Sequence, residues 1–378
     1  MKILQVATLM DTLNAFMTPY IGMLHNEGNV IDVAGFIDPT KDLKEEFKSS
    51  TNKMHNIPFS RSPLNYSNIK AYRALKRVIC KGHYDIVQCH TPIASVITRM
   101  LCMNQRKKGL KVIYTAHGFH FFKGAPLKNW LIFYPVEWLC SWWTDVLITI
   151  NKEDYKRAKN HFHAKKTLYI PGVGVDLSKY SDIKVSRFQK RKELGIPENA
   201  FVLLSVGELN ENKNQQIIIK ALANLNNSNI HYLIAGKGNM EEALRLLARK
   251  LGVEKQVHLL GFRTDVPELD KISDAFCFPS RREGLGMAAL EAMACGLPLI
   301  TSNIHGINDY SIDGVTGYKC DRDDVNGFAR TIENLVKQKE NGEIEKYHHN
   351  NVKAVKRFDI RNSMRVMEKV YKELGGLA

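Results

Sequence analysis

What most constrains this chain is a recurrence. Short runs of apolar, largely β-branched residues, each about one strand long, alternate with stretches of helical pattern. The first half carries them at residues 3–7, 31–37, 86–89, 112–115 and 146–150, the second at 201–206, 231–235, 257–259, 275–279 and 298–301. Runs this apolar belong to strands covered on both faces, and strands that alternate with helices build parallel sheets. With 378 residues, the chain is too long for one ordinary core. The expectation is an α/β protein of two doubly wound, Rossmann-like domains with about five strands each. The joint falls between Tyr169 and Arg191, where Ile170-Pro171-Gly172-Val173-Gly174-Val175-Asp176 is rich in turn formers. This gives domains at 1–180 and 181–360, with an amphipathic helix over 361–378 packing back on the first.

The formal charge of +15 implies an anionic partner: nucleic acid, an anionic membrane or a phosphorylated substrate. The seven cysteines form no CxxC pair and are odd in number, which argues against a disulfide framework or a zinc site and for buried free thiols in a reducing cytoplasm. The opening Met1-Lys2-Ile3-Leu4-Gln5-Val6-Ala7 looks like the apolar core of a signal peptide. Gln5 and Asp11 interrupt it, however, and a first buried strand accounts for it better. The most apolar stretch, 130–150, is broken by Glu137 and Asp145, and Pro135 is expected to kink a helix there. It falls short of a membrane span.

The densest chemical signal follows the run 275–279. There Glu283-Gly284-Leu285-Gly286-Met287-Ala288-Ala289-Leu290-Glu291 opens an apolar helix. Glycines allow close approach of backbone to ligand, and a helix N-terminus offers unpaired N–H groups and a positive dipole end to a diphosphate. Glu283 and Glu291 are about two turns apart if the helix starts early, and can accept hydrogen bonds from sugar and ribose hydroxyls. Spacing alone leaves a helix with two surface glutamates equally open. Asp321-Arg322-Asp323-Asp324 imitates a metal-binding D-x-D, but capping of the helix that follows is the better reading.

Phe278-Pro279-Ser280-Arg281-Arg282-Glu283, continued by Glu291-Ala292-Met293-Ala294-Cys295-Gly296-Leu297-Pro298, resembles the signature of the retaining glycosyltransferase family 4. Val206-Gly207-Glu208-Leu209 with Lys213-Asn214, Ile234-Ala235-Gly236-Lys237-Gly238, Leu260-Gly261-Phe262, Asp274-Ala275-Phe276 and Gly314-Val315-Thr316-Gly317-Tyr318 follow the family's order. The resemblance implies the GT-B fold, two Rossmann-like domains facing across a cleft, with the nucleotide-sugar donor held mainly by the second. It implies that Glu291 holds the ribose and that Glu283 touches the donor sugar. The loop Gly284, Leu285, Gly286, Met287 and Ala288 would cradle the diphosphate, and Lys213 would neutralise it beside Gly207. Gly236 would let the chain pass close to the nucleotide, and Phe262 and Arg263 would flank the base. One position departs from the pattern: Glu208 stands where an arginine usually binds phosphate, and Arg282 is expected to supply that charge. The implied chemistry is front-face transfer with retention, the departing diphosphate helping to deprotonate the acceptor. No cofactor and no metal are expected, positive groups and a helix end taking their place.

In the first domain, Thr115-Ala116-His117-Gly118 matches the family's T-x-H-G segment and places His117 just past a strand end, near the reacting carbon. His90 follows a neighbouring strand, whereas His120 reads as structural. Asp11 and Asn14 stand where relatives have a glycine-rich turn; each is read as an acceptor contact or, equally, as a helix N-cap. The aromatic stretch 119–143, with Lys123 and Lys128, is either a buried packing layer or a surface on anionic lipid. A cytoplasmic enzyme, associated with the inner face of the membrane and acting on a glycan or lipid-diphosphate-linked acceptor in capsule or exopolysaccharide assembly, fits these features. The alternatives are a sugar-nucleotide epimerase or phosphorylase of the same fold. A basic nucleic-acid-binding protein is disfavoured because its lysines and arginines form only short pairs, such as Lys107-Lys108 and Lys165-Lys166.

Overall fold

The computed structural model describes residues 1–376, so the last two residues of the helix expected over 361–378 lie outside the described residues. The chain divides into two compact units, Met1–Val173 with the chain from Arg361 onward, and Gly174–Ile360.

The first unit is built on β1 (Lys2–Leu9), β2 (Val30–Phe36), β3 (Lys53–Asn56), β4 (Ile86–Cys89), β5 (Lys111–Ala116), β6 (Val146–Thr149) and β7 (Lys166–Tyr169). They form one parallel sheet in the order β3-β2-β1-β4-β5-β6-β7. The second unit holds β8 (Phe201–Val206), β9 (Ile230–Ala235), β10 (Val257–Gly261), β11 (Ala275–Phe278), β12 (Leu299–Ser302) and β13 (Gly317–Cys320), ordered β10-β9-β8-β11-β12-β13. The seven and six strands exceed the five expected in each half. The additional ones, β3, β7 and β13, pair on one side only, read Lys-Met-His-Asn, Lys-Thr-Leu-Tyr and Gly-Tyr-Lys-Cys, and are largely half-exposed. An edge strand needs little apolar surface, so its sequence carries no hydrophobic run.

The strand order locates the ligand-binding ends. In each sheet the chain starts in the middle, winds to one edge and returns to wind the other way. The reversal lies between β1 and β4 in the first unit and between β8 and β11 in the second. Helices from the two strands flanking such a point leave to opposite faces and open a crevice at the strands' carboxyl ends. The turns leaving β8 and β11 carry 207–213 and 279–286, and β4 ends on His90.

The helix Leu127–Ser141 contains Pro135 in its interior, and Glu137, which interrupts its apolar run, is buried where Arg99 meets it. One expectation needs correction here. Of the cysteines, Cys80 is exposed while the other six are buried.

Candidate active site

In the second unit the helix Met287–Ala294 begins later than the sequence suggested, so Glu283 lies in the loop before it. Its N-cap is Gly286 at φ +93°, with no side-chain cap on the first-turn amides. A Cβ at Gly286 would sit 2.3 Å from the Phe278 ring and 3.0 Å from the Tyr310 hydroxyl, so glycine is required both by conformation and by space. The N–H groups of Met287 and Ala288 stand at this uncapped end, where the helix dipole favours an anion. Leu285 contributes backbone only, its side chain being buried in the core.

Lys213, from the turn after β8, and Glu283, from the turn after β11, meet at 2.5 Å across the strand-order reversal. The Lys213 ammonium also lies 4.8 Å from the centroid of Phe278. Asn214 fixes this turn, donating to the carbonyls of Pro279 (3.3 Å) and Arg322 (3.0 Å) from a left-handed φ of +55°. A strained non-glycine residue at a strand end is a common mark of a functional turn.

Glu208 is exposed. Of the two candidate replacements for the usual arginine, Arg281 is paired with Asp323 at 2.7 Å. Arg282 is exposed and makes no salt bridge among the described residues, which leaves its guanidinium available to an incoming anion. Asp324 caps the helix Val325–Glu340 by accepting from the Gly327 amide at 2.9 Å.

The Tyr180 hydroxyl lies beside Glu291, and burial raises the pKa of the Glu291 carboxyl. Tyr180 escaped sequence reasoning because it lies in the segment read as a linker. Asp270, buried nearby with no hydrogen-bond partner for its carboxylate among the described residues, is also pushed up, first by burial and then by Glu291. The Arg263 guanidinium forms a two-point pair with Asp265, at 2.7 and 2.5 Å, within its own turn. Phe262 is 72% exposed and presents its ring for stacking. Gly236 has a reason other than a nearby nucleotide: a Cβ there would come 1.8 Å from the Gly207 carbonyl oxygen, so two strand-end turns pack backbone to backbone.

In the first unit, His90 is fully buried at the end of β4, and its Nδ1 lies 3.1 Å from Nε2 of the partly exposed His117. Thr91 follows at φ +55°, an outlier for a β-branched residue. Its hydroxyl oxygen accepts from the Thr8 amide at 2.9 Å. His120 packs on Phe133 at 4.6 Å between ring centroids. The N-cap alternative fails for both Asp11 and Asn14. Asp11 lies inside the helix Met10–Phe16, whose N-cap is Leu9, and pairs with Lys41 at 2.5 Å. Asn14 accepts from the Lys44 amide at 3.0 Å.

Burial lowers the His117 ring to about 4. It lowers His90 well below the usual value, with His117 adding to the effect. In the second unit, burial and the neighbouring His231 lower His258 to about 4. These rings are neutral when folded, whereas an unfolded chain takes up protons as pH falls below about 6.5. Their contribution to stability is therefore complete above that pH and is lost as pH falls toward 4. The expected result is a melting temperature that drops between pH 7 and pH 5, read by circular dichroism, with the drop reduced in His258→Phe.

The aromatic stretch divides between its two readings. Phe119, Phe121 and Phe122 are buried, and Phe133 and Tyr134 pack against the core. Leu127, Leu131, Ile132, Val136, Trp138, Leu139 and Trp142 are exposed, Leu131 at 69%. Beside them an apolar groove of about 650 Å³ is lined by Tyr66, Ile69, Tyr72, Ile93, Val96, Met100, Ile132 and Val136, among others.

Residues 186–358 match the family model described as glycosyl transferases group 1, and residues 5–151 match glycosyl transferase 4-like. The chain is 40% identical over 343 residues to a Bacillus subtilis (strain 168) protein named glycosyltransferase EpsD, covering 90% of this chain and 88% of that one. It is 29% identical over 280 residues to the UDP-Gal:alpha-D-GlcNAc-diphosphoundecaprenol alpha-1,3-galactosyltransferase of Escherichia coli, covering 72% and 71%. Among solved structures, Anabaena HepE in complex with UDP and glucose superposes with a TM-score of 0.80 at 20% identity, covering 99% of this chain and 100% of that one. WaaG, a glycosyltransferase involved in lipopolysaccharide biosynthesis, gives 0.75 at 20% identity over the whole of both chains. The pair of parallel Rossmann-like sheets is that of the GT-B fold.

Proposed function

Since the chain belongs to the group 1 glycosyl transferases, we propose that this glycosyltransferase moves a sugar from a UDP-sugar to a lipid-linked glycan acceptor in polysaccharide assembly, with retention at the anomeric carbon. The observation that carries the donor half is the Lys213–Glu283 pair beside the uncapped helix Met287–Ala294, at the strand-order reversal of the second unit. A diphosphate there meets the ammonium, the first-turn amides and the Arg282 guanidinium, and Glu283 is released toward the sugar. Negative charge growing on the leaving diphosphate is stabilised by groups already in place. Glu291, with Tyr180 behind it, takes the ribose hydroxyls, and Phe262 stacks on the base. The leaving phosphate, rather than a side-chain carboxylate, draws the proton from the acceptor hydroxyl. His117 contacts the transferred sugar, and Asp11 and Asn14 lie toward the acceptor, whereas His90, fully buried with both ring nitrogens engaged by Gln5 and His117, touches no acceptor. UDP is the nucleotide bound by HepE, and the named E. coli relative uses a diphosphoundecaprenol acceptor. The reading for this chain draws on both.

The test is a thermal-shift screen against UDP-, GDP-, ADP- and dTDP-sugars, with Glu291→Ala as control. The expected result is a shift confined to the uridine nucleotides and abolished in the variant. A shift with another base alone would overturn the UDP assignment, and none at all would overturn the donor site.

Arg282→Ala is expected to weaken UDP binding about tenfold or more, the scale of a hydrogen bond to a charged group. Arg281→Ala, which breaks the pair with Asp323 and a long hydrogen bond to Asn214 Oδ1 at 3.4 Å, should change it less than threefold. Calorimetric titration with UDP reads both, and unchanged affinity in Arg282→Ala would return the Glu208 position to being unexplained.

The apolar side chains exposed on Leu127–Ser141 support a seat for the acceptor's lipid at an anionic membrane surface. Leu131→Glu with Trp138→Glu should reduce sedimentation with phosphatidylglycerol vesicles severalfold and leave UDP affinity unchanged. Equal sedimentation of the variant would remove the membrane from the proposal.

A further inference from the structure

Gln5 and Gln88 sit opposite each other in the middle strands β1 and β4 of the first sheet, both fully buried. Apolar residues there would keep the sheet together without a single polar contact. The glutamines instead start a continuous line of hydrogen bonds. Tyr371, fully buried on the helix Ile360–Leu374, donates its hydroxyl to Gln88 Oε1 and accepts from Gln5 Nε2 at 2.9 Å. Gln5 Nε2 also approaches Gln88 Oε1 at 3.3 Å, and Gln88 Nε2 donates to the Thr115 hydroxyl at 2.8 Å. Gln5 Oε1 faces His90 Nε2 at 3.0 Å, and His90 Nδ1 faces His117 Nε2 at 3.1 Å.

The line has a direction. Both amide protons of Gln5 point to Tyr371 and Gln88, so its oxygen faces His90 and can only accept. His90 Nε2 therefore carries the proton, and the Nδ1 of this neutral ring is bare and accepts in turn. His117 must then carry its proton on Nε2, which leaves its own Nδ1 bare. His117 makes no other hydrogen bond among the described residues. Thr91, strained at φ +55° directly after His90, fixes the end of β4 that holds the first ring.

We propose that Gln5, Gln88 and Tyr371 are positioning residues that fix His117 in its Nε2-protonated tautomer, so that Nδ1 meets a sugar hydroxyl as an acceptor. The role in catalysis rests on the reading of His117 as a sugar contact; the control of the tautomer does not. The opposite tautomer would present an N–H to the substrate and would suit an acceptor group in place of a hydroxyl proton.

Nitrogen-15 NMR of the full-length protein labelled in histidine reads the tautomer directly. In the wild type, His117, assigned by its loss in His117→Gln, should show a single form with Nε2 protonated. Tyr371→Phe and Gln5→Met should populate the second form. Tyr20→Phe removes another buried hydroxyl of the same unit, bonded to the Val173 carbonyl, and should not. With UDP-glucose, UDP-galactose and UDP-N-acetylglucosamine as hydrolysis probes, both network variants should lose about tenfold in kcat at unchanged UDP affinity, and Tyr20→Phe should lose less than twofold. An Nδ1-protonated wild type, or a tautomer unmoved in both variants, overturns the proposal. A moved tautomer with full activity in His117→Gln would leave the network in place and overturn the sugar contact instead.

Discussion

Lys213→Ala is expected to lower kcat by about 10²–10³, the usual loss when one preorganised charge-stabilising group is removed from a developing oxyanion. The substitution does more than delete a charge. Glu283 lies 2.5 Å from the ammonium and only 13% of its side chain is exposed. Without Lys213 its carboxylate remains at the diphosphate site and repels the ligand. UDP affinity should therefore fall as well. Lys213→Ala combined with Glu283→Gln should bind UDP better than Lys213→Ala alone, even though Glu283→Gln by itself is damaging. That non-additivity is the signature of two residues acting as one unit. Lys213→Arg should not rescue, because a planar fork does not fit the space of a compact ammonium packed on Phe278. Steady-state kinetics with the UDP-sugar selected by thermal shift, and titration with UDP, measure all four. If Lys213→Ala kept kcat within threefold of wild type, the pair would be a structural bridge between two turns and the diphosphate would lie elsewhere.

The two sheets were legible because their central strands must be covered on both faces, and that leaves an unmistakable apolar run. The edge strands β3, β7 and β13 leave no such trace. Lys213, Glu283 and the Gly286 turn were picked out in the sequence, each from the motif of its own turn. Contacts that cross the chain, the Lys213–Glu283 pair among them, were not. Nothing near Tyr180 announces that its hydroxyl meets Glu291, more than 100 residues away. Arg263 is the reverse case: its partner Asp265 lies two residues on, in view in the sequence. The glutamines were the missed signal. A polar residue at the centre of Ile3-Leu4-Gln5-Val6-Ala7, and a second at the centre of Ile86-Val87-Gln88-Cys89, is costly to bury and demands a partner. The sequence shows the demand, but only the fold shows that the helix Ile360–Leu374 answers it.

Arg99→Ala is expected to destabilise the first unit by about 3–5 kcal/mol, the range for breaking a buried ion pair from one side. Arg99 is 1% exposed, reaches Glu137 at 2.7 Å, and lies over the Tyr114 ring at 4.1 Å. Its Nε also donates to the Ser95 carbonyl at 3.1 Å. Glu137 takes a second hydrogen bond, from the Tyr114 hydroxyl at 3.0 Å, which holds its carboxylate inward at the floor of the groove. The loss should lower that unit's melting transition on the order of 10 °C. Arg99→Met with Glu137→Leu removes both charges at similar volume and should recover most of it, since the desolvation cost of the pair disappears with the pair. The pair also ties the helix Pro92–Arg106 to Leu127–Ser141, the two helices that line much of the apolar groove. The double variant consequently separates charge from architecture: with the groove intact, vesicle binding should survive while Arg99→Ala loses it. Scanning calorimetry and vesicle sedimentation measure the two effects. A cost below about 1 kcal/mol for Arg99→Ala would mean that water reaches Glu137, and the groove floor would then be polar rather than a seat for lipid.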